Sequence, residues 1–203
     1  MNASAMITLR STYVQRVVAG IWALLICLPP LAAQRLQEGY VVSLRGDTTM
    51  GFVRPGGRFR DQQEIRFLDR YGVKVRYDAS RLQGYGYGDK HYLAMPTPYY
   101  FSGLFSDTSL FLLRTVQGPA SLYRFYTRRS VFTLQRGPAF FDLLIKPDGT
   151  RHEVSLSFRW KRVADAFEDY PELADAIRRD LYKPEELPLI VKLYNDWYRS
   201  GAR

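Results

Sequence analysis

Between Gly39 and Ser157 the chain runs as short segments rich in Val, Phe, Tyr and Leu, broken by Gly, Asp and Pro; past Ser157 the apolar spacing changes from two to three and four. A period of two marks a strand with one buried face, and a period of three to four an amphipathic helix. The switch therefore predicts an α+β chain with strands first and helices last. The breakers fall at the spacing of an antiparallel sheet of about ten strands, a sandwich or a partly open barrel, followed by two or three C-terminal helices.

The first strand pair is the clearest. Tyr40, Val42 and Leu44 alternate with Val41, Ser43 and Arg45, Gly46-Asp47 turns the chain, and Met50 and Phe52 continue one face. Further strands are predicted at 64–68, 73–77, 82–87, 90–94, 109–116, 121–126, 131–134, 140–145 and 153–156. The almost unbroken apolar run 109–116 reads as a strand buried on both faces. Residues 95–106, with Pro96, Pro98 and Gly103, read as a loop.

In the tail, Trp160, Val163, Ala164 and Phe167 share a helical face. Asp169 stands where an N-cap belongs, with Pro171 and Glu172 after it, and Leu173, Ile177 and Leu181 form the next stripe. A third helix carries Leu187, Ile190, Val191, Tyr194, Trp197 and Tyr198 and ends by Gly201. Pro188 cannot donate to the carbonyl of Pro184, so the regular helix is expected from Pro188, after a single turn. Burying six such side chains at ~1.5–3 kcal/mol each exceeds what an isolated helix gains from propensity. Residues 158–203 therefore read as a helical cap packed on a β domain of residues 34–157, with a separate helical subdomain as the alternative.

Residues 1–33 have the three parts of a secretory signal peptide: Arg10 and Arg16 with no acid before an apolar run of 12 residues, Val17 to Leu28, then Pro29-Pro30 and Leu31-Ala32-Ala33. The competing reading is a retained anchor, but a spanning helix needs roughly 20 apolar residues. Cys27 follows Ile26, where a lipoprotein signal wants a small residue. Translation starts at Met1 or Met6. Cleavage after Ala33 leaves 170 of 203 residues, 27 Lys+Arg against 20 Asp+Glu, and no cysteine. The expected location is the periplasm or the medium, with no membrane span after cleavage.

One cysteine and two histidines exclude an intrachain disulfide and a zinc site of four His/Cys ligands, and no cofactor or metal is expected. Arg45-Gly46-Asp47 reads as a hairpin turn, and the sequon Asn2-Ala3-Ser4 lies in the segment to be removed. Gly84-Tyr85-Gly86-Tyr87-Gly88 is no phosphate loop, because Asp89 and Lys90 lead into another strand instead of a helix N-terminus. Its Tyr85 and Tyr87, with Tyr99, Tyr100 and Phe101, make the candidate ligand-facing patch; the plainer alternative is aromatics covering a sheet face. Arginines recur, among them Arg54, Arg58, Arg60, Arg136 and the group Arg124, Arg128 and Arg129. That group is the candidate contact for an anionic partner, an envelope protein or a surface glycan and not nucleic acid, against the alternative of a solvated strand face that discourages edge pairing.

His91 and His152 sit in no nucleophile context and no Gly-x-Ser-x-Gly elbow occurs. A carboxylate pair drawn from Asp142, Glu153 and Glu64 leaves glycan hydrolysis formally open, since it needs only two acids about 5–9 Å apart. Three functional readings follow: a non-enzymatic exported binding module, a cell-wall or glycan hydrolase, and a structural component of an outer-membrane or surface assembly.

The stretch Gly39-Tyr40-Val41-Val42-Ser43-Leu44-Arg45-Gly46-Asp47-Thr48, the segment Ser121-Leu122-Tyr123 and the tail from Tyr170-Pro171-Glu172-Leu173 to Tyr194-Asn195 together resemble a group of uncharacterised exported proteins of Gram-negative bacteria. The resemblance implies a β-rich envelope or secreted protein and offers no catalytic residue. Members of that group often carry a cysteine just before the Pro-Glu-Leu segment, where this chain has Tyr170.

Overall fold

The computed structural model describes residues 36–96, 109–127, 139–154 and 160–201. The leader reading of residues 1–33 and the strand expected at 131–134 lie outside them. Ten strands follow in chain order: β1 (Gln37–Ser43), β2 (Thr48–Arg54), β3 (Glu64–Asp69), β4 (Lys74–Asp78), β5 (Leu82–Tyr87), β6 (Lys90–Pro96), β7 (Ser109–Val116), β8 (Ser121–Thr127), β9 (Ala139–Ile145) and β10 (Arg151–Val154). All pair antiparallel in one sheet of order β10-β9-β8-β7-β6-β5-β1-β2-β3-β4, which does not close into a barrel. The turn Arg45-Gly46-Asp47 is the β1–β2 hairpin: Gly46 takes φ 91° and donates to Ser43 O, while Ser43 donates to Asp47 O.

The order contains one demanding connection. Between β4 and β5 lie only Ala79, Ser80 and Arg81, yet β3, β2 and β1 stand between those strands in the sheet. In a flat sheet four strand spacings would be about 19 Å, beyond the roughly 13–14 Å that four extended residues reach. The register adds to this, for Leu82 opposes Ser43 at one end of β1, whereas Asp78 pairs with Glu64 beyond the other end. The sheet must roll. At about 20–25° of twist per strand pair, four steps turn β4 nearly crosswise to β5, and the concave face encloses Val41, Val53, Ile65, Phe67, Ala79, Leu82, Tyr85, Tyr87, Tyr92 and Phe111.

Helix α1 (Arg58–Gln63), which no apolar periodicity signals, lies over this inner face. Its Asp61 and Gln62 are buried because each replaces missing backbone partners. The Asp61 carboxylate accepts from Gly56 N at 2.6 Å and from the Tyr87 hydroxyl at 2.7 Å, and its carbonyl accepts from the Tyr85 hydroxyl at 2.6 Å. The Gln62 amide donates to Tyr126 O at 2.8 Å and accepts from Tyr126 N. That doubles as a strand partner where the β7–β8 register has already ended, at Leu113–Arg124.

The inner face continues under the C-terminal helices. Val116, Leu122, Leu144 and Val154 of the sheet pack with Val163, Phe167, Leu173, Ile177, Leu187, Ile190, Val191 and Tyr194. The segment Trp160–Phe167 is a 3-10 helix, followed by α2 (Pro171–Arg178), a 3-10 turn Pro184–Glu186 and α3 (Leu187–Ser200). The regular third helix thus starts after one turn, as the proline spacing requires. Two expectations are corrected here. Asp169 does not cap α2, whose N-cap is Tyr170 without a side-chain bond, because the Asp169 carboxylate instead accepts from Lys146 Nζ at 2.7 Å and the Tyr194 hydroxyl at 2.5 Å. Leu181 is exposed, since α2 stops at Arg178 and Asp180 takes φ 58°. On the outer face of β6–β9, Met95, Leu110, Leu112, Tyr123, Phe125 and Leu143 form a third buried cluster, so β7 is buried on both sides as its unbroken apolar run predicts.

Candidate functional site

The Gly84-Tyr85-Gly86-Tyr87 alternation lies along β5, so the pleat sends both tyrosines to the inner face and leaves the outer face bare. Tyr85 and Tyr87, expected to face a ligand, are only 1% and 3% exposed, which corrects that expectation. They stack in the core with Tyr92, the Tyr85–Tyr92 centroids 4.5 Å apart, and Phe111 meets Tyr85 edge-on at 4.8 Å. Burial pushes the Tyr92 hydroxyl up to about 12 and raises those of Tyr85 and Tyr87. Tyr99, Tyr100 and Phe101 lie outside the described residues.

The bare strip forms a groove instead. In register across five strands stand Tyr40, Gly86, His91, Arg114 and Tyr123. With no side chain at Gly86, Tyr40 reaches across β5 and its hydroxyl lies 2.8 Å from His91 Nδ1 in a hydrogen bond. A Cβ at Gly86 would sit 2.6 Å from the Tyr40 ring, and one at Gly84 would sit 2.4 Å from the carbonyl of Tyr92, so both positions depend on glycine. Val42, Gln83 and Leu93 complete the walls of a pocket of about 180 Å³. That volume is below the roughly 300–1,000 Å³ of pockets that enclose a drug-sized ligand and suits one ring-sized group. Its electrostatics are one-sided: no lining residue is a carboxylate, and no carboxylate among the described residues pairs with Arg114. Tyrosine hydroxyls, an imidazole, an amide and a guanidinium over partly apolar walls can hydrogen-bond hydroxyls and hold an anionic substituent.

The expected anionic-partner residue Arg124 is also corrected. It faces the inner side, where its Nε and one terminal nitrogen each donate to the Asp142 carboxylate at 2.8 Å and its guanidinium lies 3.9 Å from the Phe140 ring centroid. Burial opposes the charge, but the Asp142 contacts outweigh it and raise the Arg124 pKa. Arg128 and Arg129 lie outside the described residues. The carboxylate-pair candidates do not assemble. Asp142 is 1% exposed and engaged, and Glu153 opposes its neighbour Leu143, so the pleat puts Glu153 on the other face of the sheet. Glu64 is on β3, with β8, β7, β6, β5, β1 and β2 between it and β9. Among the described residues no His/Cys/Asp/Glu group could hold a metal ion.

Sequence reasoning treated the Gly/Tyr segment as a hairpin and missed Tyr40, His91, Arg114 and Tyr123. A signal for the groove was present: alternating Gly and Tyr gives a strand one full face and one empty face. Which neighbours border the empty face depends on β1 pairing with β5, a contact made after 38 intervening residues. No protein family, curated protein or solved structure matches this chain.

Proposed function

We propose that the chain is an exported, non-enzymatic binding module whose outer-face groove takes an anionic sugar of the cell envelope. The observation that carries this is the cross-strand row Tyr40, Gly86, His91, Arg114 and Tyr123. Tyrosine, histidine and the Gln83 amide answer hydroxyl groups, Leu93 and the tyrosine rings answer the apolar face of a sugar ring, and Arg114 answers a carboxylate or phosphate. Export rests on the basic, apolar and small-residue segments of residues 1–33. Among the described residues no helix is long and apolar enough to cross a membrane.

Calorimetric titration of the purified chain with paired neutral and uronate- or phosphate-bearing oligosaccharides tests the reading. The anionic member is expected to bind more tightly, and Arg114→Ala to weaken it about tenfold to a hundredfold, the worth of a charge-assisted hydrogen bond of roughly 1.5–3 kcal/mol. Equal affinity for neutral and anionic sugars, or no effect of Arg114→Ala, refutes it.

A further inference from the structure

A second feature of the outer face lies on the strands at the other end of the sheet. Arg54 on β2 pairs in register with Arg66 on β3, which pairs with Arg76 on β4. Three guanidinium-bearing side chains thus project from one face in a row spanning about 10 Å. Like charges set directly opposite destabilise a sheet. Neither Arg66 nor Arg76 has a carboxylate within ion-pair distance among the described residues. The Nε of Arg66 is shut off from solvent without an acceptor, while the residue as a whole is half-exposed.

The neighbouring rows show what the face meets. On one side Glu64 opposes Asp78, whose carboxylate is taken up by Ser80 and Arg81. On the other, Glu38, Phe52, Leu68 and Lys74 stand in register, with Met50 beyond Phe52 on the same strand face, opposite Tyr40. Met50 is 48% and Phe52 37% exposed. Arg54, Arg66, Arg76 and Lys74 outnumber the carboxylates Glu38, Glu64 and Asp78 on this face, and cations in excess beside exposed apolar side chains form a pattern that can lie against a membrane surface: the cations meet phosphate groups while the apolar groups enter the boundary below them.

We propose that the outer face of β2–β4 docks on anionic lipid headgroups, with Arg54, Arg66, Arg76 and Lys74 contacting the phosphates and Phe52 and Met50 inserted between them. This site adjoins the groove, for Met50 opposes Tyr40 across β1 and β2, but it does not rest on the sugar-binding reading.

Sedimentation of the purified full chain with phosphatidylcholine vesicles, and with mixed phosphatidylcholine–phosphatidylglycerol vesicles, tests it. The readout is the ratio of anionic to neutral partitioning, so that the apolar run Val17 to Leu28, common to every variant, cancels. The parent ratio is expected to exceed one and to fall as salt is raised. Each of Arg54→Gln, Arg66→Gln and Arg76→Gln should lower the ratio about fivefold, and the triple variant about a hundredfold. The corresponding triple Arg→Lys variant keeps the charge and should keep most of the ratio. Met50→Ser with Phe52→Ser should weaken binding to both kinds of vesicle. The proposal is overturned by a triple glutamine variant that partitions like the parent, or by an equal loss from Arg199→Gln on the helical cap. Loss of the anionic preference in the triple lysine variant also overturns it. Inorganic phosphate competing as well as vesicles would place the site with soluble phosphates and overturn the membrane assignment.

Discussion

Asn195 offers the sharpest stability test, because one side chain holds the helical cap to the β7–β8 turn. Its Oδ1 accepts from Ala120 N at 2.7 Å and its Nδ2 donates to Ala120 O at 2.8 Å. Asn195 is 1% and Ala120 0% exposed, so water does not compete for either backbone group. The chain makes room for the amide at Gly118, where a Cβ would stand 2.3 Å from Asn195 Nδ2. Asn195→Ala therefore strands a buried N–H and a buried C=O. At about 1–3 kcal/mol for each unsatisfied group, the expected loss is roughly 2–5 kcal/mol, a large part of the ~5–15 kcal/mol typical of a domain. At about 2–4 °C per kcal/mol for a chain of this size, Tm should fall by roughly 4–20 °C. Urea unfolding followed by circular dichroism measures the first quantity and calorimetry the second. Asn195→Asp keeps the acceptor for Ala120 N but sets a carboxylate oxygen against Ala120 O, and should not recover the loss. A cost below about 0.5 kcal/mol for Asn195→Ala, the range of an ordinary surface change, would refute the account of the clip.

Other outcomes follow from the same geometry. Asp142→Ala leaves the half-buried Arg124 guanidinium without its partner and should cost up to about 3 kcal/mol in chemical unfolding, whereas Arg124→Met with Asp142→Leu should be near neutral or stabilising, since an ion pair taken largely out of water owes much of its gain to cancelling its own desolvation. Gly86→Ala drives a methyl into the Tyr40 ring and should part Tyr40 from His91; the loss is readable as a changed Tyr40 environment in near-ultraviolet spectra and as weakened sugar binding. At Asp169, burial raises the carboxyl pKa, but the Lys146 and Tyr194 hydrogen bonds outweigh it and hold the group below its ordinary value of 3.8. A depressed folded-state pKa gives stability that is present above the unfolded value and lost as pH falls through the folded one. The fall in Tm below pH 3.8 should therefore be shallower in Asp169→Asn, and an unchanged slope would count against this pair.

The order of strands and helices was legible because it is written in short-range periodicity: alternation through Val41, Val53 and Phe67, then the three-four spacing of Leu187, Ile190, Val191 and Tyr194. Turns were legible for the same reason, for Gly46 needs only its own backbone conformation to close a hairpin. Helix α1 was not, because five of its six residues are polar and Phe59 alone makes no apolar stripe; what holds Asp61 and Gln62 there are Tyr85, Tyr87 and Tyr126, far along the chain.

The sequence by itself determined which residues share a strand face or a helix face, since that depends only on the pleat and the helical repeat. Tertiary structure alone decided which face is which and what stands beside it. Tyr85 and Tyr87 went inward because α1 supplies acceptors for their hydroxyls, and Arg124 was neutralised because β8 and β9 set it opposite Asp142. The groove and the arginine row exist because β1 returns to β5 and β3 lies between β2 and β4. Cross-strand register is a long-range agreement among strands, and no local pattern of residues specifies it.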